Sequence, residues 1–230
     1  MEKRILGRTG VSVSVLGFGC GAVGGLMVRG APADQERAIA RALEAGVNYF
    51  DTAWQYGEGE SERNLGRILQ TLKPANAVVG TKVRLSSDDL GRIGAAIAQS
   101  LEASLKRLRL ERVDIFHLHN AITATGGAEA LGVRQVLDDV VPAFERLRQQ
   151  GKTRFLGLTA VGDTAALHRV IDARAFDSAQ VVYNMLNPSA ATALPANYPA
   201  QDYGRLFARR CPLSRKPDGG FGQARGKTPP

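Results

Sequence analysis

Short apolar stretches alternate along the chain with longer segments in which apolar residues recur every three or four positions. The short stretches predict buried strands, and the longer segments have the period of an amphipathic helix. The predicted strands are Val13–Cys20, Val47–Thr52, Ala77–Val83, Val113–His119, Arg154–Thr159 and Ala179–Tyr183. The predicted helices are Asp34–Ala45, Ser61–Leu72, Leu90–Leu108, Gln135–Gln149, Thr164–Ala173 and Asp202–Phe207.

Residues at the helix ends agree with this pattern. Asp34 and Asp163 stand where a helix N-cap is expected, and Gly46 and Gly151 follow two helices where a left-handed residue is favoured. Continuous rather than alternating apolar strands suit a parallel sheet that is buried on both faces. Six βα units in about 195 residues fit a (β/α)8 barrel, which takes ~250 residues. A doubly wound open sheet has the same local pattern and stays an alternative.

The composition changes after Phe207. Residues 208–230 hold four prolines, four glycines and six basic residues against one acidic residue, which accounts for +5 of the net charge of +8. Such a segment buries too little apolar surface to order itself, so we expect a disordered tail. Its charges lack the helical or aromatic-interleaved arrangement of nucleic-acid binders, so no specific nucleic-acid partner is predicted.

Cysteine usage and the amino end limit the protein class further. Cys20 and Cys211 are too few and too far apart to predict a disulfide framework or a metal centre. The first residues lack a signal-peptide apolar core, and no stretch reaches ~18 apolar residues. We therefore expect a cytoplasmic protein with no membrane partner. The oligomeric state is not predicted.

Three ionisable residues lie where predicted strands end: Asp51, Lys82 and His119. Each has an ordinary structural interpretation, because an aspartate can cap a turn and a lone histidine is more often a core residue. Lys82 is harder to explain by an ordinary structural role, because burying an ammonium costs free energy unless it is paired. Carboxyl ends of neighbouring parallel strands lie ~4.8 Å apart, so Asp51 can be its partner.

Tyr56 follows Asp51 by five residues, in a glycine-rich loop. A neighbouring ammonium favours the ionised form of a phenol and so makes Tyr56 a better proton donor to a carbonyl oxygen. Asp51 would hold Lys82, and His119 would orient the carbonyl. Because residues 117 and 119 face the same side of a strand, His117 is an open alternative to His119.

The chain resembles the aldo-keto reductase family between about Arg4 and Phe207. The segments that carry the resemblance are LGRTGVSVSVLGFGCG, GVNYFDTAWQYGEGESERNLG, VVGTKV, VDIFHLH and GKTRFLGLT. The resemblance implies an oxidoreductase that uses NADPH, or NADH, on a small carbonyl or alcohol substrate, without a metal. It also implies that Asp51, Tyr56, Lys82 and His119 are the catalytic residues.

The same resemblance implies nicotinamide contacts at Gly19, Cys20, Gly21, Thr159 and Gln180. Two positions depart from the family pattern: Thr159-Ala160 replaces a common Ser-Asn pair, and Asn120 replaces a tryptophan after the catalytic histidine. Residues 19–24 also spell G-x-G-x-x-G, a dinucleotide fingerprint. Residues 25–32 separate it from the next predicted helix, so no helix N-terminus is expected there to hold a pyrophosphate.

These observations predict an incomplete α/β protein of the (β/α)8 TIM-barrel type, with about six βα units and an N-terminal hairpin. Residues 1–207 would form the barrel and residues 208–230 the basic tail. In the family, loops after strands seven and eight hold the cofactor phosphates, so we expect a truncated or frame-shifted member with weak cofactor binding and little activity. The alternatives are a Schiff-base lyase with Lys82 as nucleophile, or a non-catalytic barrel fragment.

Overall fold

The computed structural model describes residues 1–127 and 129–209. The strands are β1 (Lys3–Ile5), β2 (Ser12–Ser14), β3 (Phe18–Gly19), β4 (Tyr49–Asp51), β5 (Val78–Val83), β6 (Val113–Leu118), β7 (Ala121–Thr123), β8 (Ala130–Gly132), β9 (Thr153–Thr159) and β10 (Ser178–Gln180). The helices are α1 (Leu26–Arg29), α2 (Pro32–Glu44), α3 (Glu60–Leu72), α4 (Ile93–Leu108), α5 (Val141–Gln149) and α6 (Thr164–Asp172). The predicted tail lies almost wholly outside the described residues.

A curled parallel sheet organises the molecule. Its six strands lie in the order β3-β4-β5-β6-β9-β10, so each neighbours the next one along the chain. A doubly wound sheet reverses its strand order near the middle, whereas a barrel does not. The order therefore settles the choice that the sequence pattern left open, in favour of part of a (β/α)8 barrel.

Apolar packing lies on both faces of this sheet. Helices α3, α4, α5 and α6 cover the outer face with buried leucines, isoleucines and valines. The β1–β2 hairpin closes the amino end of the inner face, where Val11 and Val13 pack against Val78 and, more loosely, Tyr49 and Phe155. The hairpin is tied down by Asn48, whose side chain accepts from the Ser14 N–H at 2.7 Å and donates to the Ser12 carbonyl at 3.0 Å.

Strand lengths differ from the prediction at both edges of the sheet. The predicted strand Val13–Cys20 is divided between β2 in the hairpin and the two-residue β3 in the sheet. The last predicted strand, Ala179–Tyr183, is the shorter β10. An edge strand pairs on one side only, so the apolar run alone does not determine how far the pairing extends. Of the inner strands, β5, β6 and β9 match their predicted ranges within one residue, whereas β4 is three residues shorter than the predicted strand Val47–Thr52.

Helix ends are partly as predicted. Gly46 and Gly151 have φ angles of 87° and 73°, as the left-handed position requires. Asp163 occupies the N-cap of α6 without a side-chain cap bond. The prediction for Asp34 was wrong: α2 begins at Pro32 after Ala31, and Asp34 lies in its first turn. Proline suits the first helical turn because its missing N–H would have had no partner there.

Two predicted helices contain irregular turns. The segment before α4 is a 3-10 turn at Ser87–Arg92, and the segment before α5 is a π-type turn at Gln135–Val140. Pro142 cannot donate the N–H that a regular helix needs, which accounts for the irregular winding ahead of it. The predicted helix Asp202–Phe207 is a 3-10 turn at Leu206–Arg209.

Several elements were not predicted. Strands β7 and β8 pair with each other between β6 and α5. The one-turn helix α1 follows the G-x-G-x-x-G segment, so the expectation that no helix begins there was wrong. A dinucleotide-binding open sheet is still excluded by the strand order. Helix α1 packs beside the loop after β4, where a Cβ on Gly57 would lie 2.3 Å from Val28 Cγ1.

Candidate active site

The predicted catalytic side chains meet at the carboxyl end of the sheet. Asp51 ends β4, Lys82 lies near the end of β5, and His119 directly follows β6. Tyr56 reaches them from the loop after β4, where Gly57 and Gly59 have φ angles of 66° and 88°. Positive φ angles let this loop fold back over the strand ends, which places the Tyr56 hydroxyl above Lys82.

Lys82 is the centre of the cluster. Its side chain is 2% exposed, and its Nζ lies 2.6 Å from Asp51 Oδ2 in a buried ion pair. Nζ also donates to the Thr52 carbonyl at 2.8 Å and to the Tyr56 hydroxyl at 3.1 Å. An ammonium has three N–H donors, so each has an acceptor. This geometry holds a positive charge against the phenol oxygen.

His119, rather than His117, stands beside Tyr56. The two rings lie edge to face with centroids 6.5 Å apart. Burial, followed by the Lys82 charge, lowers the pKa of His119, so the ring is neutral at neutral pH. His117 is fully buried inside the sheet, and burial lowers its pKa to about 4. Of the two histidines that sequence alternation could not separate, His119 is therefore the one in ring contact with Tyr56, and its catalytic role stays a prediction.

The loop after β3 lies next to this cluster. Its Cys20 N–H donates to the Asp51 carbonyl at 2.8 Å. Ser61 Oγ donates to the Cys20 carbonyl at 2.8 Å and lies 2.8 Å from Thr52 Oγ1, so it joins this loop to the end of β4. Sequence reasoning had placed Ser61 in a family segment without giving it this role. The Cys20 thiol is buried, and burial raises its pKa to about 12, so it is not a nucleophile here.

The two glycines that flank Cys20 leave space at the site. A Cβ on Gly19 would meet no atom within 4 Å, and one on Gly21 would lie 3.9 Å from Tyr56 Cζ. Open space beside the Tyr56 ring suits a flat group stacked against backbone. The nicotinamide contact expected of Gly19 and Gly21 stays a prediction.

Thr159 and Gln180 end the neighbouring strands β9 and β10 and are paired in register. Thr159 is buried and donates to the Leu118 carbonyl at 3.2 Å. The Gln180 side-chain nitrogen donates to Asp51 Oδ1 at 2.8 Å. Gln180 is thus in direct contact with the catalytic cluster, a contact that links residues 129 positions apart and has no local sequence signal.

Asn120, which replaces a tryptophan of the family pattern, is buried. Its side chain accepts from the Leu85 N–H and donates to the Leu85 carbonyl, both at 2.8 Å. The backbone of a neighbouring strand would make the same pair of hydrogen bonds to Leu85. The Asn120 side chain therefore joins the chain segments that follow β5 and β6. A position that resemblance placed at the site therefore has a structural role.

A second buried ion pair supports β5 from the helix side. Glu62 on α3 is fully buried and accepts from Arg107 Nε at 2.5 Å and from Thr81 Oγ1 at 2.6 Å. Thr81 precedes Lys82, so this contact anchors the strand that carries the lysine. The signal in the sequence was a charged residue beside the apolar face of α3, which includes Leu65 and Leu69.

Residues 1–127 and 129–209 contain no group of three or more His, Cys, Asp or Glu side chains that could hold a metal ion. No helix in the same residues is long and apolar enough to cross a membrane.

A curled βα sheet with a Lys-Asp-Tyr-His cluster at its carboxyl end defines a barrel-type enzyme site. The chain belongs to the aldo/keto reductase family, whose model matches residues 15–198. It is 34% identical to L-galactose dehydrogenase of Arabidopsis thaliana over 70% of this chain and 49% of that protein. It is 32% identical to D-threo-aldose 1-dehydrogenase of a Pseudomonas species over 81% of this chain and 63% of that protein.

Solved structures give the same result. An aldo-keto reductase of Pseudomonas aeruginosa matches with a TM-score of 0.63 and 28% identity, over 80% of this chain and 67% of that one. An aldo/keto reductase of Klebsiella pneumoniae, solved with NADP and acetate, matches with a TM-score of 0.60 and 26% identity, over 84% and 60%. The chain spans about half the length of L-galactose dehydrogenase.

Proposed function

We propose that this protein is a nicotinamide-dependent oxidoreductase in which Tyr56 exchanges a proton with a substrate carbonyl or alcohol oxygen. The observation that carries the proposal is the single ammonium of Lys82, bonded to Asp51 at 2.6 Å and to the Tyr56 hydroxyl at 3.1 Å. A positive charge beside the phenol oxygen stabilises the phenolate that remains after the proton leaves. Asp51 holds the ammonium in place and balances its charge.

In the reducing direction, Tyr56 donates its proton to the carbonyl oxygen, and in the oxidising direction its phenolate takes the alcohol proton. His119 lies beside Tyr56 and is kept neutral by burial, so its ring N–H can donate to the same oxygen and orient it. A bound nicotinamide dinucleotide would supply or accept the hydride.

The residues that would hold the nicotinamide are Gly19, Cys20, Gly21, Thr159 and Gln180. The open space at Gly19 and beside Tyr56 fits a flat ring. The Gln180 amide is joined to the same cluster by its bond to Asp51. NADPH is the proposed cofactor, with NADH as the other candidate. The NADP complex of the Klebsiella pneumoniae relative supports this choice.

Among aldehydes and ketones, we propose polyhydroxylated aldehydes such as aldoses as the substrate class. Relatives that support this are named for L-galactose, for D-threo-aldoses and, over a shorter segment, for pyridoxal. Aldoses and pyridoxal each form an internal hemiacetal in water. Oxidation would remove the hemiacetal hydroxyl proton to Tyr56 and the carbon-bound hydrogen as hydride, which leaves a lactone.

The contacts of Lys82 disfavour the Schiff-base alternative. All three of its N–H groups have acceptors, so no nitrogen lone pair is directed at a substrate carbon. A lyase would need the free amine as nucleophile. Borohydride treatment with an aldehyde substrate should therefore leave Lys82 unmodified, and a reduced adduct on Lys82 would favour the lyase.

The test of the proposed function is turnover of a panel of aldoses with NADP⁺ and NAD⁺, followed by absorbance of the reduced cofactor. Each cofactor is supplied at millimolar concentration. Circular dichroism first establishes that the purified chain is folded. We expect aldose-dependent reduction of cofactor. A folded chain that reduces neither cofactor with any sugar, aldehyde or alcohol, and oxidises neither reduced form, would refute the proposal.

A further inference from the structure

The hydroxyl of Tyr49 lies near Asp51 and has no role in the proposed mechanism. Tyr49 precedes Asp51 by two residues on β4, so both side chains face the inside of the curled sheet. The Gln180 side-chain nitrogen lies 2.8 Å from Asp51 Oδ1 and 3.5 Å from the Tyr49 hydroxyl. One amide therefore joins the phenol to the carboxylate that holds Lys82.

Two glycines keep room for the Tyr49 ring. A Cβ on Gly80 would lie 2.8 Å from the Tyr49 hydroxyl oxygen, and a Cβ on Gly17 would lie 2.9 Å from Tyr49 Cδ1. Neither glycine is among the residues with positive φ, so neither is needed for its backbone conformation. The absence of a side chain at each position instead matches the space that the phenol occupies.

The phenol is also held in one protonation state. Burial, and next the Asp51 charge, raise the pKa of Tyr49 well above its usual range. A protonated phenol can accept a hydrogen bond from Gln180 while its own O–H stays available to the neighbouring carboxylate. The position of Tyr49, the space that Gly17 and Gly80 leave for its ring, and the protonated state of its hydroxyl thus all favour contact with Gln180 and Asp51.

We propose that Tyr49 is a positioning residue of the active site, whose hydroxyl holds the Gln180 amide against Asp51. An amide nitrogen carries two N–H groups, and here one meets Asp51 and the other meets Tyr49. Without the hydroxyl, the amide is free to turn, and Asp51 loses a fixed partner on the oxygen that Lys82 does not hold. The effect on turnover rests on the proposed function, whereas the effect on Gln180 does not.

Tyr49→Phe removes the hydroxyl and leaves the ring. Loss of one neutral hydrogen bond predicts a three- to ten-fold lower kcat, with the KM for the sugar changed by less than about two-fold. Side-chain amide exchange of Gln180, measured by NMR without cofactor, should become at least about ten-fold faster. The side-chain amide of Gln35, which donates to the Leu26 and Gly30 carbonyls elsewhere, is the internal control and should not change.

Gly80→Ala tests the same contact by crowding the hydroxyl. It should also lower kcat and speed Gln180 exchange, because its Cβ displaces the phenol oxygen. In the double variant Tyr49→Phe with Gly80→Ala the clashing atom is gone, so kcat should equal that of Tyr49→Phe alone. A double variant whose loss is the product of the two single losses would overturn the proposal, as would unchanged Gln180 exchange in Tyr49→Phe. If the parent chain shows no turnover, Gln180 exchange alone decides the matter.

Discussion

The buried pair of Asp51 and Lys82 should respond to substitution in a strongly non-additive way. Asp51→Asn keeps the shape of the side chain and one acceptor oxygen, but it leaves the Lys82 ammonium, 2% exposed, without a counter-ion. Removing one partner of a buried ion pair costs ~3–5 kcal/mol. Because the Asp51 side chain is 20% exposed, we take the lower end, about 3 kcal/mol. For a chain of this size, this corresponds to a fall in Tm of roughly 6–12 °C.

A second change should restore much of this loss. In Asp51→Asn with Lys82→Met, an apolar chain of similar length replaces the ammonium, so no buried charge remains without a partner. Replacing a whole buried pair by neutral groups is often nearly neutral in stability. We therefore expect the double variant to be more stable than Asp51→Asn by about 2 kcal/mol. Lys82→Met alone should cost less than Asp51→Asn, since Asp51 keeps its bond to Gln180.

Urea denaturation followed by circular dichroism measures all four proteins. The coupling free energy is the difference between the double loss and the sum of the single losses. If the loss in the double variant equals the sum of the two single losses within about 0.5 kcal/mol, the ion pair does not contribute the stability assigned to it. The charge on Lys82 would then not need Asp51 as its counter-ion.

Three further predictions concern buried polar groups around the site. His117, with a pKa lowered to about 4, binds fewer protons in the folded than in the unfolded state between pH 4 and 6.5. Its contribution to stability should fall by about 3 kcal/mol as the pH drops through this range. His117→Gln should remove most of the slope, and His119, whose pKa is also lowered, accounts for the rest. Glu62→Gln should cost ~3 kcal/mol, the lower end of the range for a buried pair because Arg107 is 15% exposed, whereas Glu60→Gln, in an exposed pair, should cost less than ~1 kcal/mol. In a Cys211→Ser background, Cys20 should not react with thiol reagents at pH 8 until the protein unfolds.

Each of these predictions has a measurement that can contradict it. Urea unfolding at several pH values gives the slope, and an undiminished slope in His117→Gln would assign it to other groups. Equal losses in the two glutamate variants would mean that the buried Glu62–Arg107 pair contributes no more than an exposed one. Rapid labelling of Cys20 in the folded protein would show that the loop after β3 opens.

The sequence was most informative where burial is complete. Strands β5, β6 and β9 are covered on both faces, so continuous apolar runs located them within a residue. The segment from Val13 to Cys20 is equally apolar, but it passes from the hairpin into the sheet. The hydrophobicity of a segment does not show which strand it pairs with. The barrel-type strand order likewise depends on packing between distant residues rather than on any local pattern.

The candidate site was predictable as far as it depends on strand ends. Asp51, Lys82 and His119 end adjacent strands, and Tyr56 lies within a short loop of them. Which of His117 and His119 lies beside Tyr56 could not be predicted, because alternation places both on the same face. The bond between Gln180 and Asp51 and the pair of Glu62 with Arg107 were not predicted, since each joins segments far apart in the chain.

The rate lost on substitution of Tyr56 tests most directly whether Tyr56 is the proton donor. The rate of NADPH oxidation by an aldehyde is followed in a single turnover at saturating cofactor, for the parent chain, Tyr56→Phe and the control Tyr183→Phe. Because general acid catalysis contributes ~10²–10⁴-fold, Tyr56→Phe should lose at least about 100-fold in rate while its dissociation constant for NADPH stays within about two-fold. Tyr183, half-exposed and in ring contact with Phe207, should tolerate the change. A Tyr56→Phe chain that keeps more than about a tenth of the parent rate would contradict the account.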